Sequence, residues 1–357
     1  MCHFDQGCRL CGEISSKNGG KGLVKKILTI SVAAYNVEST LDQLMLSLAD
    51  SGCMDWLEVL IVDDGSTDGT AEKGRGYAAR YPESVHLISK ANGGHGSTIN
   101  TGIREAAGRY FRALDGDDWM DSRALRALLE TLEAAEADLV ITDFVHCLPG
   151  EVRDLQRPGK DLEPSVPLTA EEAFSRVDWL GYHAVIWRTE LLRKHGVRLE
   201  EHCFYVDNEY CLFPVPWADT ALYCPLPVYC YRLGEAGQSV SPESRRRHIR
   251  DDTRVVNRLL EFCGELSSLP GLSDGKRKYI LHGTARHCLW YIYSQLLFPP
   301  SGAKRREIRD FDRSVQARQE EVYREMAAQS RMVRMLRRTG YLAYGPIKLF
   351  KKIKGTG

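Results

Sequence analysis

No apolar run in this 357-residue chain approaches the roughly 20 residues that a membrane-spanning helix needs, so a spanning anchor is not expected. The opening stretch, MCHFDQGCRLCGEISSKNGGKG, lacks the apolar core of a secretory leader. Formal net charge is zero, so no global field argues for a nucleic-acid partner. Cysteine is not scarce, but eleven residues is an odd number without regular spacing. That excludes the paired framework of a small secreted scaffold and points to a reducing cytosol. No G-x-G-x-x-G follows the first strand-like segment, which argues against a hydride-transferring dinucleotide enzyme. Cys2, His3, Cys8 and Cys11 include one C-x-x-C, yet no second pair follows at zinc-finger spacing. Residues 1–24 therefore read as an extension, expected to be disordered, with half of a metal site as the alternative.

What remains is an ordinary globular composition, 43% hydrophobic and 27% charged, long enough for one large domain and a smaller one. From Ile27 strand and helix signals alternate. ILTISVAAY, LEVLIVDD, SVHLIS, RYFRAL and DLVITDF read as strands. STLDQLMLSLAD, GTAEKGRGYAARY, the stretch after NGGHGS, and SRALRALLETLEAAEA read as helices. Ser39 with Asp42 three residues on has capping-box spacing, and Asp121 or Ser122 is placed to cap the fourth helix. Such alternation predicts an α/β fold with a mostly parallel sheet and helices on both faces. In these sheets ligands bind beyond the carboxyl ends of the strands. The polar stretches YNVE, DDGSTD, NGGHGS and DGDD each follow a strand, so four loops are expected to converge on one site.

The densest of these loops crowds Asp115, Asp117, Asp118 and Asp121 into seven positions. Carboxylates that close raise one another's pKa unless positive charge is supplied. Asp115 and Asp117 form a D-x-D, which can hold Mg²⁺ or Mn²⁺ while phosphate oxygens and water fill the other positions. Asp63 and Asp64 leave a buried strand, and one carboxylate can accept from a base N–H or a ribose hydroxyl. Tyr35 can stack on a base and offer its hydroxyl. Gly93, Gly94 and Gly96 let the backbone approach a ligand, and the helix N-terminus behind them favours an anion.

TISVAAYNVESTLDQLMLSL, LEVLIVDDGSTDGT, NGGHGSTINTGI and RYFRALDGDDWMD, in that order, resemble the family 2 glycosyltransferases of the GT-A fold. The resemblance is strong over residues 27–145 and weaker to about 240. It implies a Rossmann-like sheet at 25–242, a nucleotide-diphosphate sugar donor, most often UDP-linked, and inversion at the anomeric carbon. Carried over by position, it implies nucleotide contacts from Ala33, Tyr35, Glu38, Asp64, Gly94, His95, Asn100 and Asp115. Asp115 and Asp117 would hold the metal. Ala34 stands where many members have proline, and Ile99 where many have arginine; His95 or Lys90 would then supply the missing cation. HCFYVDNEYCLFP resembles the family's E-D motif, with Val206 for the glutamate. Asp207 would then be the base that deprotonates the acceptor hydroxyl, with Glu209 second and a helix cap as its plain alternative. Residues 229–241 read as a strand and then a loop, in which Arg232 and Gln238 would contact the diphosphate. His183 would face the acceptor or sit in the core.

Residues 243–330 read as helices without a catalytic motif. Residues 331–357 carry eight Lys or Arg and no acid, interleaved with Leu, Tyr, Ile and Phe. That pattern suits a peripheral amphipathic segment on an anionic inner leaflet, or else a packed helix with a solvated basic face. The expectation is an inverting, metal-dependent glycosyltransferase at the inner face of the cell membrane, acting on a cell-surface glycan or lipid-linked precursor. Transfer of a sugar phosphate or polyol phosphate is the nearest alternative, and a non-catalytic nucleotide-binding module the one from another class.

Overall fold

The computed structural model describes residues 26–150, 152–234 and 238–346. Cys2, His3, Cys8 and Cys11 lie outside them, as do Lys348, Lys351, Lys352 and Lys354 of the basic tail. The eight described cysteines are free thiols. No helix among the described residues is long and apolar enough to cross a membrane.

Four strands build the first half of the sheet: β1 (Leu28–Ala34), β2 (Leu57–Asp63), β3 (Val85–Ser89) and β4 (Tyr110–Asp115). They pair in parallel in the order β3-β2-β1-β4. Every residue of β2 is buried, as a parallel sheet covered on both faces requires. The crossovers are α1 (Leu41–Ala49), α2 (Thr70–Arg80) and α3 (His95–Glu105). Thr40 rather than Ser39 precedes α1 and makes no side-chain cap. Asp42 turns instead to Lys73 and to the Tyr77 hydroxyl, tying α1 to α2. Asp121 does cap α4 (Ser122–Ala134), accepting from the backbone N–H groups of Arg123 and Ala124.

The second half of the sheet is mixed, which narrows the mostly parallel expectation to β1–β4. It contains β5 (Trp119–Met120), β6 (Leu139–Leu148), β7 (Val152–Gln156), β8 (Pro167–Thr169), β9 (Val185–Arg188) and β10 (Thr220–Arg232). β9 lies antiparallel between β4 and β6, and β6 is parallel to β10. β7, β8 and β5 each add an antiparallel pairing. For β7 the reason is connection length: it follows β6 closely, and only long crossovers return a strand in parallel. Pro225 and Pro227 fall inside β10, and the register shifts between Cys224 and Tyr229, where the ladder yields to them.

Short helices α5 (Ala170–Arg176), α6 (Thr189–Lys194) and α7 (Asp207–Leu212) surround this half. Beyond it come α8 (Pro242–Arg247), α9 (Ile249–Glu265), α10 (Asp274–Gln295), α11 (Gly302–Arg318), α12 (Glu320–Gln329) and α13 (Arg331–Arg338). One hydrophobic cluster runs from Ile27 to Tyr344, so the core continues across residue 242. α9 reaches back to α7 and the segment before it: Arg254 donates to the His202 carbonyl at 2.7 Å, and Arg258 to Glu209 at 2.6 Å. In α13, Val333 and Leu336 are buried, and Arg337 forks onto buried Asp312 at 2.8 and 2.7 Å. Tyr341 and Tyr344 are also buried, while Leu342 is exposed. The described part of 331–357 is thus packed on the helices.

Candidate active site

The aspartate cluster follows β4 directly. Gly116 donates its N–H to the Ala33 carbonyl at 3.1 Å, and a Cβ there would come 2.9 Å from the same oxygen. Only glycine lets this loop close so tightly on the end of β1. Asp115 Oδ1 pairs with His95 Nε2 at 2.9 Å and accepts from the Tyr182 hydroxyl at 3.2 Å. Burial opposes its charge, but His95 and Tyr182 hold it below the usual carboxylate range. Asp118 is only 1% exposed and accepts from the Tyr229 hydroxyl at 2.6 Å and the Arg232 N–H at 2.7 Å. Burial, then Asp115 and Asp117, push it well above the usual range. The Asp117 carboxylate has no hydrogen bond from another described residue; burial and Asp115 push it up to about 6. The positive charge that such crowding calls for comes partly from His95. Burial works against its proton, but Asp115, Asp207 and Asp117 raise its pKa overall.

Ligand atoms of Asp115, Asp118 and His183 all lie within 4.8 Å of one another, a grouping that can hold a metal ion. The D-x-D spacing singled out Asp117; the fold gathers Asp118 instead and leaves Asp117 outside the trio. Burial, aided by Arg112 and His146, pushes His183 down to about 3, so its imidazole is neutral and able to ligate. Two carboxylates and an imidazole suit Mn²⁺, and carboxylates with phosphate and water suit Mg²⁺. Below the trio lies Arg112, fully buried, donating to the His183 carbonyl and to Thr142, its guanidinium 5.2 Å from the centre of the Tyr229 ring.

On the other side stands the glycine-rich loop. Gly94 has φ +80°, and a Cβ on it would meet the His202 backbone at 3.2 Å. A Cβ on Gly96 would fall 2.0 Å from the Glu200 carbonyl oxygen. These glycines bring the start of α3 against the segment that leads into α7. Asp64 is buried and accepts from the Gly93 and Gly94 N–H groups at 2.9 and 2.8 Å, and from Lys90 at 2.7 Å. Lys90 also donates to the Ala91 carbonyl and Ser97. It is engaged inside the loop, whereas His95 meets Asp115. Ala33 is half-buried at the end of β1, and Tyr35 is 51% exposed on the lip beyond it.

Two residues of the expected nucleotide set serve the scaffold. Glu38 accepts from the Gly69 N–H at 2.8 Å, joining two loops. Asn100 exchanges hydrogen bonds with the Leu199 backbone at 2.9 Å in both directions and donates to Glu201. It fastens α3 to the segment leading to α7. Arg232 donates to the Asp117 carbonyl at 2.8 Å and to Gln43 at 2.6 Å. Gln238 donates to the Arg232 carbonyl at 2.6 Å, closing its loop. Both therefore brace the aspartate loop.

Asp207 is the first residue of α7, with Val206 at the cap position, and its side chain accepts from the Asn208 amide at 3.4 Å. Burial raises its pKa, His95 pulls it down and Asp115 raises it further. That environment favours a proton acceptor. Glu209, the second candidate, is turned into the core: it is 0% exposed and accepts from Arg258 and the Glu200 N–H. Two residues along a helix turn a side chain by about 200°, which takes it from cleft to core. Asp118, Tyr182, Tyr229 and Arg112 were not anticipated. The sequence signals were a charged Arg112 within an apolar strand and tyrosines at alternate positions of YCYR.

Residues 29–183 match the family model described as Glycosyl transferase family 2. An uncharacterized glycosyltransferase of Bacillus subtilis, EpsJ, is 36% identical over 118 residues, covering 33% of this chain and 34% of that protein. The match thus spans about a third of that relative's length. Residues 1–349 of S. aureus TarS, solved in complex with UDP-GlcNAc, superpose with a TM-score of 0.63 at 18% identity, covering 92% of each chain. The mannosyltransferase PcManGT from Pyrobaculum calidifontis, solved with GDP-Man and Mn²⁺, gives 0.52 at 17% identity, covering 91% of this chain and 86% of that one. Both structures share the GT-A type of fold with this chain.

Proposed function

We propose, from the premise that residues 29–183 belong to glycosyl transferase family 2, that the chain moves a sugar from a nucleotide-diphosphate donor to an acceptor hydroxyl with inversion. The observation that supports this is the His95–Asp115 contact at 2.9 Å beside the Asp115–Asp118–His183 trio, with Asp207 near enough for its charge to act on His95. Direct displacement needs that polarity: a base for the acceptor, and countercharge for a departing diphosphate.

Asp207 accepts the acceptor proton as the acceptor oxygen bonds to the anomeric carbon. The bond from that carbon to the diphosphate oxygen breaks, and the electron pair leaves with the nucleoside diphosphate. His95, at the N-terminus of α3, faces the developing charge with an N–H and the positive end of a helix dipole. A divalent cation, Mn²⁺ or Mg²⁺, held by Asp115, Asp118 and His183, would neutralise the remaining diphosphate charge. Tyr35, Ala33 and Asp64 would receive the nucleoside, uridine being favoured by the resemblance. The acceptor would be a surface glycan or lipid-linked precursor, met at the inner leaflet by the basic tail.

The test is release of nucleoside diphosphate from a panel of UDP- and GDP-sugars, with Mn²⁺ and with EDTA. Metal-dependent release from at least one UDP-sugar is expected. A folded chain that neither binds nor consumes any of them sinks the reading.

A further inference from the structure

Tyr231 stands where the parts of this site meet. Its ring lies 4.1 Å from the His183 imidazole, centroid to centroid, nearly parallel at 24°, and 5.8 Å from His146 edge-on. The strand around it is fixed to the aspartate loop. Tyr229, two residues earlier, donates to Asp118 and accepts from the Asp115 N–H. Arg232, one residue later, donates to Asp118 and to the Asp117 carbonyl. Residues i and i+2 of a strand share a face, and both tyrosine rings lie against His183.

The two hydroxyls differ in one respect. That of Tyr229 is committed to the loop, whereas that of Tyr231 has no hydrogen-bond partner among the described residues, although its ring is half-buried. A phenol carries its proton at neutral pH, so this hydroxyl is a donor with no acceptor among the described residues. The stack places it: the ring covers His183 on the face that Tyr229 shares, beside the trio on which the sugar-bearing diphosphate would sit. In an inverting displacement the group between the leaving diphosphate and the acceptor's base is the transferred sugar. Resting on the glycosyl-transfer reading, we propose that Tyr231 is a substrate-contacting residue that donates a hydrogen bond to an oxygen of the transferred sugar, its ring braced by His183.

The variant Tyr231→Phe keeps the ring and the stack and removes only the hydroxyl. The full chain is titrated with UDP and Mn²⁺, then assayed for UDP release across a panel of UDP-sugars. UDP affinity within twofold of the unaltered chain is expected, with kcat/KM for the sugar nucleotide lowered roughly five- to tenfold, the scale of one lost neutral hydrogen bond. Tyr231→Leu, which also removes the stack, should lose more. Unchanged kcat/KM in Tyr231→Phe, or an equal loss for UDP and UDP-sugar, overturns the sugar contact while leaving glycosyl transfer standing. An unaltered chain that consumes no sugar nucleotide overturns the parent reading, and this contact falls with it.

Discussion

His95 Nε2 lies 2.9 Å from Asp115 Oδ1, so the first residue of α3 and the last residue of β4 are joined across the cleft. The contact couples the anion-favouring end of a helix to the head of an acidic cluster. The imidazole stands one turn before Ile99, the buried residue at which the resemblance implies an arginine. His95→Gln keeps a donor but removes the charge. We expect UDP binding in Mn²⁺ to weaken about tenfold at low salt and by less at high salt, as exposed electrostatics are screened. Calorimetric titration at two salt concentrations reads this directly; equal affinities for the two proteins would remove His95 from the diphosphate site.

Asp207 and Glu209 separate catalysis from stability. Asp207→Asn should leave UDP affinity nearly intact and lower turnover by roughly 10²-fold or more, the scale of general-base catalysis. Glu209→Gln should act mainly on folding, because it weakens the buried contact with Arg258 that clamps α7 to α9. Turnover and denaturation midpoints measured on both variants decide the matter. Loss of turnover confined to Glu209→Gln would reverse the assignment.

The legible parts of this site were the local ones. The runs in β1, β2 and β4 and the cap at Asp121 could be read because each depends on neighbours within a few residues. What could not be read depends on distant partners. Asp118 turns inward because Tyr229 and Arg232, 111 and 114 residues away, receive it. The D-x-D spacing holds no trace of them. Asn100 resembles a nucleotide contact, yet its side chain is taken up by Leu199, 99 residues on. The short antiparallel strands β7, β8 and β9 escaped because three to five residues are too few to show a period.

A separate test concerns the helical region. Asp252 is fully buried, accepts from Ser294 at 3.3 Å, and faces His287 at 3.8 Å. Burial pushes Asp252 up to about 7, Arg245 and Ser294 pulling the other way. Between its unfolded value of about 3.9 and that level, the folded chain holds a proton that the unfolded chain has released. Its contribution to stability therefore falls as pH rises through this window. Burial pushes His287 down to about 4, which gives the opposite slope from there to about 6.5. Asp252→Asn removes the first slope and leaves the second. The stability of Asp252→Asn relative to the unaltered chain should thus rise with pH, at about 1.4 kcal/mol per unit between about pH 5 and 6 and about half that near pH 7. Urea unfolding across that range measures it; a difference independent of pH would show that Asp252 is ionised throughout.

The basic C-terminus supports a prediction about where the chain works. Peripheral binding adds apolar burial to attraction between basic residues and anionic lipid, the latter on the order of 1 kcal/mol for each Lys or Arg near the surface. Within 331–346 much of this capacity is turned inward, Arg337 on Asp312 and Tyr341 and Tyr344 in the core. Truncation at residue 341 would therefore damage packing as well as the tail. Removing 347–357 instead deletes Lys348, Lys351, Lys352 and Lys354 with Ile347, Leu349 and Phe350, and leaves the buried tyrosines in place. Four lysines near the surface could shift partitioning by two to three powers of ten at low salt, and by less as the Debye length shortens. The full chain is expected to float with anionic vesicles at low salt and to be released by high salt. The truncated chain should remain with neither anionic nor neutral vesicles, and should bind UDP as before because the nucleotide loops lie before residue 120. A full chain that stays unbound to anionic vesicles at low salt would assign the tail's charge to solvation and remove the membrane from the proposal.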